Sequence, residues 1–360
     1  MNNRTFTLAA LIAGLIAQSQ AHAQIAVASG MNTAAASSAS VTPKTVKAPP
    51  GTTTTRYAVT PGTLPGQVAL QTFDGHYVTA RNGGGQVSDA LITTATSIGP
   101  DERFTVEKLY NYTLFKTADG HFVATTTGVT NTASALQTVA DVATDSTLFT
   151  VTAAAELPGI YPYQFTTYYG LALAALNGGG MSTGAFTTGS GGTYGTSASN
   201  GYFRVQQCGD LGSGLSYSFA GQNYAVGQYY SEQVEAFNGG GEPGGALTFN
   251  NDNAGSAFKF IRQADGLYGL QTSNGVNYLT AINAGGLASG ANLATDRTVV
   301  QAWEEFKLVD AGNCVYTIQT YDGYYLGFSS ITGQFSTDII NPRAPPKNYV
   351  AYFELTPLWY

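Results

Sequence analysis

Charge is scarce in this 360-residue chain: Lys, Arg, Asp and Glu make up only 10% of it, and acidic residues outnumber basic ones by 22 to 15. A surface so poor in lysine and arginine cannot neutralise phosphates, which argues against nucleic acid and anionic membrane as partners. Histidine is limited to His22, His76 and His121, and none stands at a metal-ligand spacing from a second His, Cys or carboxylate. Beyond the first 23 residues no segment approaches eighteen consecutive apolar side chains, so no membrane insertion is expected. No Gly-x-Ser-x-Gly sits on a strand-to-helix turn, and no glycine run is followed by lysine and a helix. These absences leave no nucleophile elbow, no phosphate cradle and no expected cofactor or metal.

Met1 to Ala23 carries Arg4, an apolar run from Leu8 to Ala17 and a small-residue close at Ala21-His22-Ala23, the form of a signal peptide cleaved before Gln24. The expected product is secreted or periplasmic. From Gln24 to Gly66 the chain is Ala, Thr, Ser and Pro with few large apolar side chains, too little to offset the entropy of ordering it, and a disordered spacer is expected. Loss of Arg4 leaves 14 basic against 22 acidic residues, a net charge of −8.

What the chain has in quantity is glycine (44), tyrosine (23) and phenylalanine (18), the composition of a turn-rich β protein. Six times it gives Phe, one residue, then an apolar residue, beginning at Phe104, Phe149, Phe203, Phe258, Phe306 and Phe353, with spacings of 45, 54, 55, 48 and 47. A glycine landmark keeps step at Gly75, Gly120, Gly170, Gly221, Gly275 and Gly323. Period-two alternation flanks the glycines, as in Leu267 to Thr272 before and Tyr278 to Ala281 after, so each glycine is expected to turn a hairpin. A less visible third strand and the Phe segment complete four strands per repeat. The glycine-rich link Gly209 to Gly214 divides six repeats into three and three, and only two tryptophans, Trp303 and Trp359, are present. Both features favour two closed three-repeat units over a six-bladed propeller.

The run Gly75-His76-Tyr77-Val78-Thr79-Ala80-Arg81-Asn82-Gly83-Gly84-Gly85, with Ile98 to Phe104 after it, resembles the fascin-like β-trefoil repeat. Tyr278 to Ala281 and Gln301-Ala302-Trp303-Glu304-Glu305-Phe306 carry the same resemblance, and the glycine run recurs after Asn177, Asn238 and Asn283. It covers residues 67 to 357 and suggests a secreted member of bacterial type. The implied fold is all-β: two tandem β-trefoils, at 67–208 and 214–360, following a signal peptide (1–23) and a linker (24–66). In such a fold the six Phe side chains plug the cores, and truncating one costs roughly 3 to 5 kcal/mol. Cys208 and Cys314 then fall at repeat starts on one rim, where a disulfide closing the long loop would contribute roughly 4 to 5 kcal/mol; two free thiols are the alternative.

The remaining chemistry-bearing residues read mostly as structure. His76 and His121 fill one slot in adjacent repeats. Glu304 matches Glu102 by repeat position, and the pair reads as a structural hydrogen bond. The glycine runs read as turns needing positive φ, with ligand contact by their amides as the other reading. Asn250 to Asn253 lacks the spaced carboxylates of a calcium loop. No catalytic constellation is assembled, and a non-enzymatic recognition protein is expected. Its first expected ligand is a glycan or polysaccharide, met by Asp74, His76, Tyr77, Asn82, Tyr278, Asn283, Asp322 and Tyr325. A fascin-like adaptor for actin filaments, or a structural extracellular protein, is the alternative. Intact-mass analysis of the exported protein should place its first residue at Gln24; an N-terminus at Met1 would remove the export reading.

Overall fold

The computed structural model describes residues 66–126, 136–153, 163–189, 198–212, 214–223, 228–250, 257–288, 292–346 and 348–358. The expected signal peptide, the spacer up to residue 65 and Asn251 to Asn253 lie outside them.

One sheet contains β1 (Gln67–Gln71), β2 (Tyr77–Ala80), β3 (Leu91–Ala95), β4 (Arg103–Leu109), β5 (Tyr112–Lys116), β6 (Phe122–Thr125), β7 (Leu136–Ala140), β8 (Phe149–Ala153), β9 (Tyr163–Thr167), β10 (Ala172–Ala175), β11 (Phe186–Gly189) and β12 (Arg204–Cys208). The other contains β13 (Leu215–Asn223), β14 (Gln228–Ala236), β15 (Leu247–Asn250), β16 (Phe258–Arg262), β17 (Tyr268–Gln271), β18 (Tyr278–Ala281), β19 (Leu293–Arg297), β20 (Glu305–Gly312), β21 (Val315–Thr320), β22 (Tyr325–Ser329), β23 (Phe335–Ile339), β24 (Tyr349–Val350) and β25 (Phe353–Pro357).

In the first sheet β1, β4, β5, β8 and β9 pair in turn; a Tyr163–Phe203 bridge leads on to β12, and β12 pairs back to β1 from Gln67↔Cys208 to Gln71↔Arg204. In the second, β13, β16, β17, β20, β21 and β25 close the same way, with Ser218↔Thr356 on the closing pair. The hairpins β2/β3, β6/β7 and β10/β11 cap the first ring, and β14/β15, β18/β19 and β22/β23 cap the second. Six-stranded closed rings with three capping hairpins are β-trefoil-type architecture, and closure leaves each ring without a free edge. Among the described residues the helical elements are single 3₁₀ turns, and no helix is long and apolar enough to cross a membrane.

The period-two alternation sends one face of each strand inward. Phe104, Phe149 and Phe203 are buried in the first core, and Phe258, Phe306 and Phe353 in the second. Edge-on contacts knit them together, with Phe165 to Phe203 at 5.3 Å and Phe219 to Phe353 at 5.7 Å between ring centroids, the arrangement that the ring quadrupoles favour.

Neighbouring repeats are locked by their glycine runs. Asn82, Asn177, Asn238 and Asn283 all have φ of 53 to 56° and lead into glycines at positive φ; asparagine is among the few side chains that tolerate this region. The run then lies against the turn of the next repeat around the ring. Asp74 N–H donates to Gly178 O (3.1 Å), Asp119 N–H to Gly83 O (3.1 Å), Asn274 N–H to Gly239 O (3.2 Å) and Asp322 N–H to Ala284 O (3.3 Å). In return Gly180, Gly85, Gly241 and Gly286 donate to Thr93, Thr138, Thr295 and Thr337 carbonyls at 2.7 to 2.9 Å. A Cβ at Gly84, Gly179, Gly240 or Gly285 would collide with the turn threonine, Thr117, Thr72, Thr272 or Thr320. The amides of the last two glycines in each run are therefore spent inside the fold.

One landmark behaves differently from expectation. Gly221 does not turn a hairpin: it lies within β13, paired with Phe353, and the space a Cβ would take is filled by the Phe328 ring. That connection runs through residues 224–227, outside the described residues. The sequence contains several glycines here, and only the core says which one must lack a side chain.

The two rings meet along their last strands. Arg204 Nε on β12 is 2.6 Å from Glu354 Oε1 on β25, both side chains buried. Burial pushes the Glu354 carboxyl above its usual range, and Arg204 pulls it part of the way back. Tyr163 OH donates to Pro357 O (2.7 Å) and Tyr316 OH to Gly209 O (2.6 Å). Cys208 and Cys314 form a disulfide across this seam, walled by Ala69, Tyr77 and Ile98. The link itself is pinned: Leu211 is buried in the second core, and Tyr217 OH accepts from Gly212 N–H (3.2 Å).

Urea unfolding should separate the two kinds of glycine. Gly179→Ala combines positive φ with a collision and is expected to cost at least about 2 kcal/mol. Ala284, held at φ 60° where the other runs have glycine, should gain up to about 1 kcal/mol on Ala284→Gly. At the seam, Glu354→Leu alone should cost about 3–5 kcal/mol, and the pair Arg204→Met with Glu354→Leu should recover most of it. A single change with no cost would remove the seam from the account of stability.

Candidate functional site

The residues expected to meet a ligand divide into four groups. Tyr77 is corrected outright: it is 4% exposed, its hydroxyl donates to Gln206 Oε1 at 3.3 Å, and it lines the pocket around the disulfide. No sugar ring can reach it. Asp74 and His76 lie at the lock between the third and first repeats, where Asp74 Oδ1 accepts from Thr72 Oγ1 (2.8 Å) and His76 N–H (3.2 Å), and His76 Nδ1 is 2.8 Å from Asp74 Oδ2. Asn82 heads the lock facing the second repeat, so these residues do not share one site. Asn283 and Asp322 do share one junction, through Ala284, and both are exposed. Tyr278 and Tyr325 are half-buried at the roots of their hairpins, opposite Gln271 and Gln319. The two histidines in one slot have different partners, since His121 Nδ1 meets Asp141 Oδ1 at 2.8 Å. Among the described residues no three His, Cys, Asp or Glu side chains gather around a space for a metal ion.

Sequence reading places Trp303 in the Gln301–Phe306 run and in the tryptophan count, with no ligand role. In the structure it is 40% exposed over an open depression of about 470 Å³, lined by Arg297, Thr298, Val299, Gln301, Ala302 and Glu304. Local chemistry explains why the loop holds this shape. A 3₁₀ turn at Ala302–Glu304 carries a capping box, with Gln301 N–H donating to Glu304 Oε2 at 3.0 Å. Thr280 Oγ1 donates to the other oxygen, Glu304 Oε1, at 2.9 Å. The buried carboxylate thus satisfies donors that the loop would otherwise strand. Glu102 does the same in the first repeat, accepting from Gly99 N–H at 2.7 Å. With Glu304 fixed beneath, the adjacent Trp303 points outward.

The equivalent turn positions in the first and second repeats hold Asp101 and Ser146. Folding does not demand an indole at this position, and that comparison is the signal by which the sequence might have been read. An indole face with the exposed Arg297, Thr298 and Gln301 around it offers a stacking surface ringed by hydrogen-bonding groups. Glu305, just outside the depression, has its carboxyl held above the usual range by burial, then by the Asp265 and Glu304 carboxylates.

A closed six-stranded ring with three capping hairpins defines an all-β protein of the β-trefoil type. No protein-family model matches the sequence, and no curated protein matches it. Solved structures with a likeness include a mosquitocidal holotoxin (TM-score 0.34, 9% identity, 81% of this chain and 34% of that one). Others are the designed three-fold symmetric protein ThreeFoil (TM-score 0.33, 15% identity, 39% and 97%) and a non-toxic homologue of type II RIPs from Momordica charantia (bitter gourd) in complex with α-methyl-D-galactoside (TM-score 0.27, 11% identity, 81% and 98%). The chain thus spans about a third of the length of the holotoxin.

The raised Glu305 pKa has a sign. A carboxyl that binds its proton more tightly when folded adds stability below its unfolded pKa, and that contribution is lost as pH rises through the folded value. Glu305→Gln should therefore flatten the fall in melting temperature as pH rises above about 4.5; an unchanged pH profile would mean that neither burial nor the neighbouring carboxylates raise the Glu305 pKa.

Proposed function

We propose that the chain is a secreted or periplasmic, non-catalytic carbohydrate-binding protein built as two tandem β-trefoils, residues 67–208 and 214–360, of fascin-like repeats. The observation that carries the reading is the exposed Trp303 above a polar-rimmed depression, on a loop whose buried Glu304 already meets the structural needs. A pyranose presents a face of C–H groups and an edge of hydroxyls. The indole can cover the first, and Arg297, Thr298 and Gln301 can exchange hydrogen bonds with the second. The low charge of the chain suits a ligand that is polar and neutral.

The arrangement of carboxylates supports the absence of catalysis. Glu304 is committed to Gln301 N–H and Thr280, whereas hydrolysis of a glycosidic bond needs two carboxyls free to flank it. An adaptor role on actin filaments draws on no feature of the Trp303 site.

A glycan array and pull-down on insoluble polysaccharides test the reading. The wild type should be retained, and Trp303→Ala should weaken binding by about tenfold or more, equivalent to about 1.4 kcal/mol, with an unchanged melting temperature because the side chain is exposed. A wild type that binds no glycan at millimolar concentration would sink the proposal.

A further inference from the structure

The third repeat departs from its siblings at one turn. After the turn threonine, the second residue is Asp74, Asp119, Asn274 and Asp322 in the first, second, fifth and sixth repeats, and Tyr169 in the third. In the first and fifth repeats this residue braces the turn: Asn274 Oδ1 accepts from Thr272 Oγ1 (3.0 Å), Val276 N–H (2.9 Å) and Asn277 N–H (3.0 Å), much as Asp74 does. A tyrosine cannot reproduce these bonds. The third-repeat turn keeps the Gly170 N–H to Thr167 O bond (2.9 Å) that Gly75, Gly120, Gly275 and Gly323 make in their own turns, and adds Leu171 N–H to Thr167 Oγ1 (3.2 Å). The third repeat carries in this place an aromatic ring that is 46% exposed, beside Tyr168 at 42%.

The two rings are not isolated. Tyr168 lies 5.6 Å from Tyr169 and 5.7 Å from Tyr112 on β5, centroid to centroid. Tyr112 packs against the satellite core of Leu109, Leu114, Phe122 and Leu148, which anchors the series at one end. At the other end Tyr169 is raised in pKa by partial desolvation, then by the Asp145 carboxylate and the Tyr168 phenol, placing an acidic acceptor close to the last ring. The rings are tilted, by 52° between Tyr112 and Tyr168 and 86° between Tyr168 and Tyr169. Rings so disposed cannot lie together on a flat crystalline surface, but they can follow a single twisted chain whose successive sugars change their facing. Phenol hydroxyls and a carboxylate beside the apolar faces suit a hydroxylated ligand better than an apolar protein anchor, which wants a desolvated pocket.

We propose that Tyr112, Tyr168 and Tyr169 form a second glycan-binding platform, on the first ring, that takes a single soluble polysaccharide chain. The proposal rests on the glycan reading above, and it adds a second contact point in a molecule whose rings are covalently joined by Cys208–Cys314. Two sites held in one body raise the retention of a long chain without raising affinity for a short one.

Affinity electrophoresis through gels containing soluble polysaccharides, alongside titration with short oligosaccharides, separates the outcomes. Tyr168→Ala with Tyr169→Ala should cut retention by the polymer on the order of tenfold while short-oligosaccharide binding, which depends on Trp303, persists. Trp303→Ala should remove the latter and leave residual polymer retention, and the triple variant should migrate as in a gel without glycan. Melting temperatures report whether each variant folds. Full polymer retention by the double tyrosine variant, with Trp303→Ala still impaired, overturns the platform and spares the Trp303 site. Failure of the wild type to bind any glycan overturns both. Sedimentation of the wild type as a dimer that the tyrosine changes dissociate overturns the platform in favour of a self-association surface.

Discussion

Each ring is held in register by a backbone-to-side-chain approach too close for any residue but glycine. The run after one capping hairpin lies on the threonine of the next turn, and carbonyl and amide are exchanged across the contact. Every such contact ties together segments tens of residues apart, so the ring closes only when the runs and turns match. The arrangement also explains the order Asn-Gly-Gly-Gly: asparagine enters the left-handed region, and the glycines continue where a Cβ would strike the neighbour. The runs that read in sequence as tight turns at positive φ are also joints between repeats.

With the joints carrying the register, the cores need only be filled, and a phenylalanine from each repeat does so. The seam between the rings is of a different kind. It combines a disulfide, a buried Arg204–Glu354 pair and tyrosine hydroxyls bonded to backbone carbonyls. An ion pair out of water gains little net stability over apolar packing, but it tolerates few alternative alignments. The rings are therefore joined in one arrangement, and surface groups on the two are carried by a single body.

The surface features that carry the functional reading stand at positions the joints have released. Trp303 sits in a capping box that Glu304 completes without it, and Tyr169 stands where Asp74 and Asn274 brace the turns of the first and fifth repeats. In both cases an aromatic ring is exposed where its siblings have a small polar residue, and in both cases a local bond network carries the turn. Repeats of one architecture place the same folding demands on equivalent positions, so an exposed aromatic where the siblings hold a small polar residue supports the recognition proposal.

The sequence by itself determined the elements that are written locally. Period-two alternation, Asp-Gly and Asn-Gly pairs and the recurrence of phenylalanine place the strands, the hairpins and the core plugs, because strand sidedness and turn conformation are properties of a few adjacent residues. A structural hydrogen-bonding role for Glu102 and Glu304 was legible from their matching repeat positions, and the structure makes it a capping box in each case. Burial and partnership were decided only by the tertiary structure. Tyr77 and Tyr278 occupy matching positions in similar motifs, yet the seam between rings buries Tyr77, and Asp74 and Asn82, eight residues apart, belong to different joints. Gly221 reads as a turn until the Phe328 ring is seen in its place. Which aromatic faces solvent depends on what the neighbouring repeat lays over it, and that neighbour is fixed by ring closure, a condition on the whole chain that no window of residues contains.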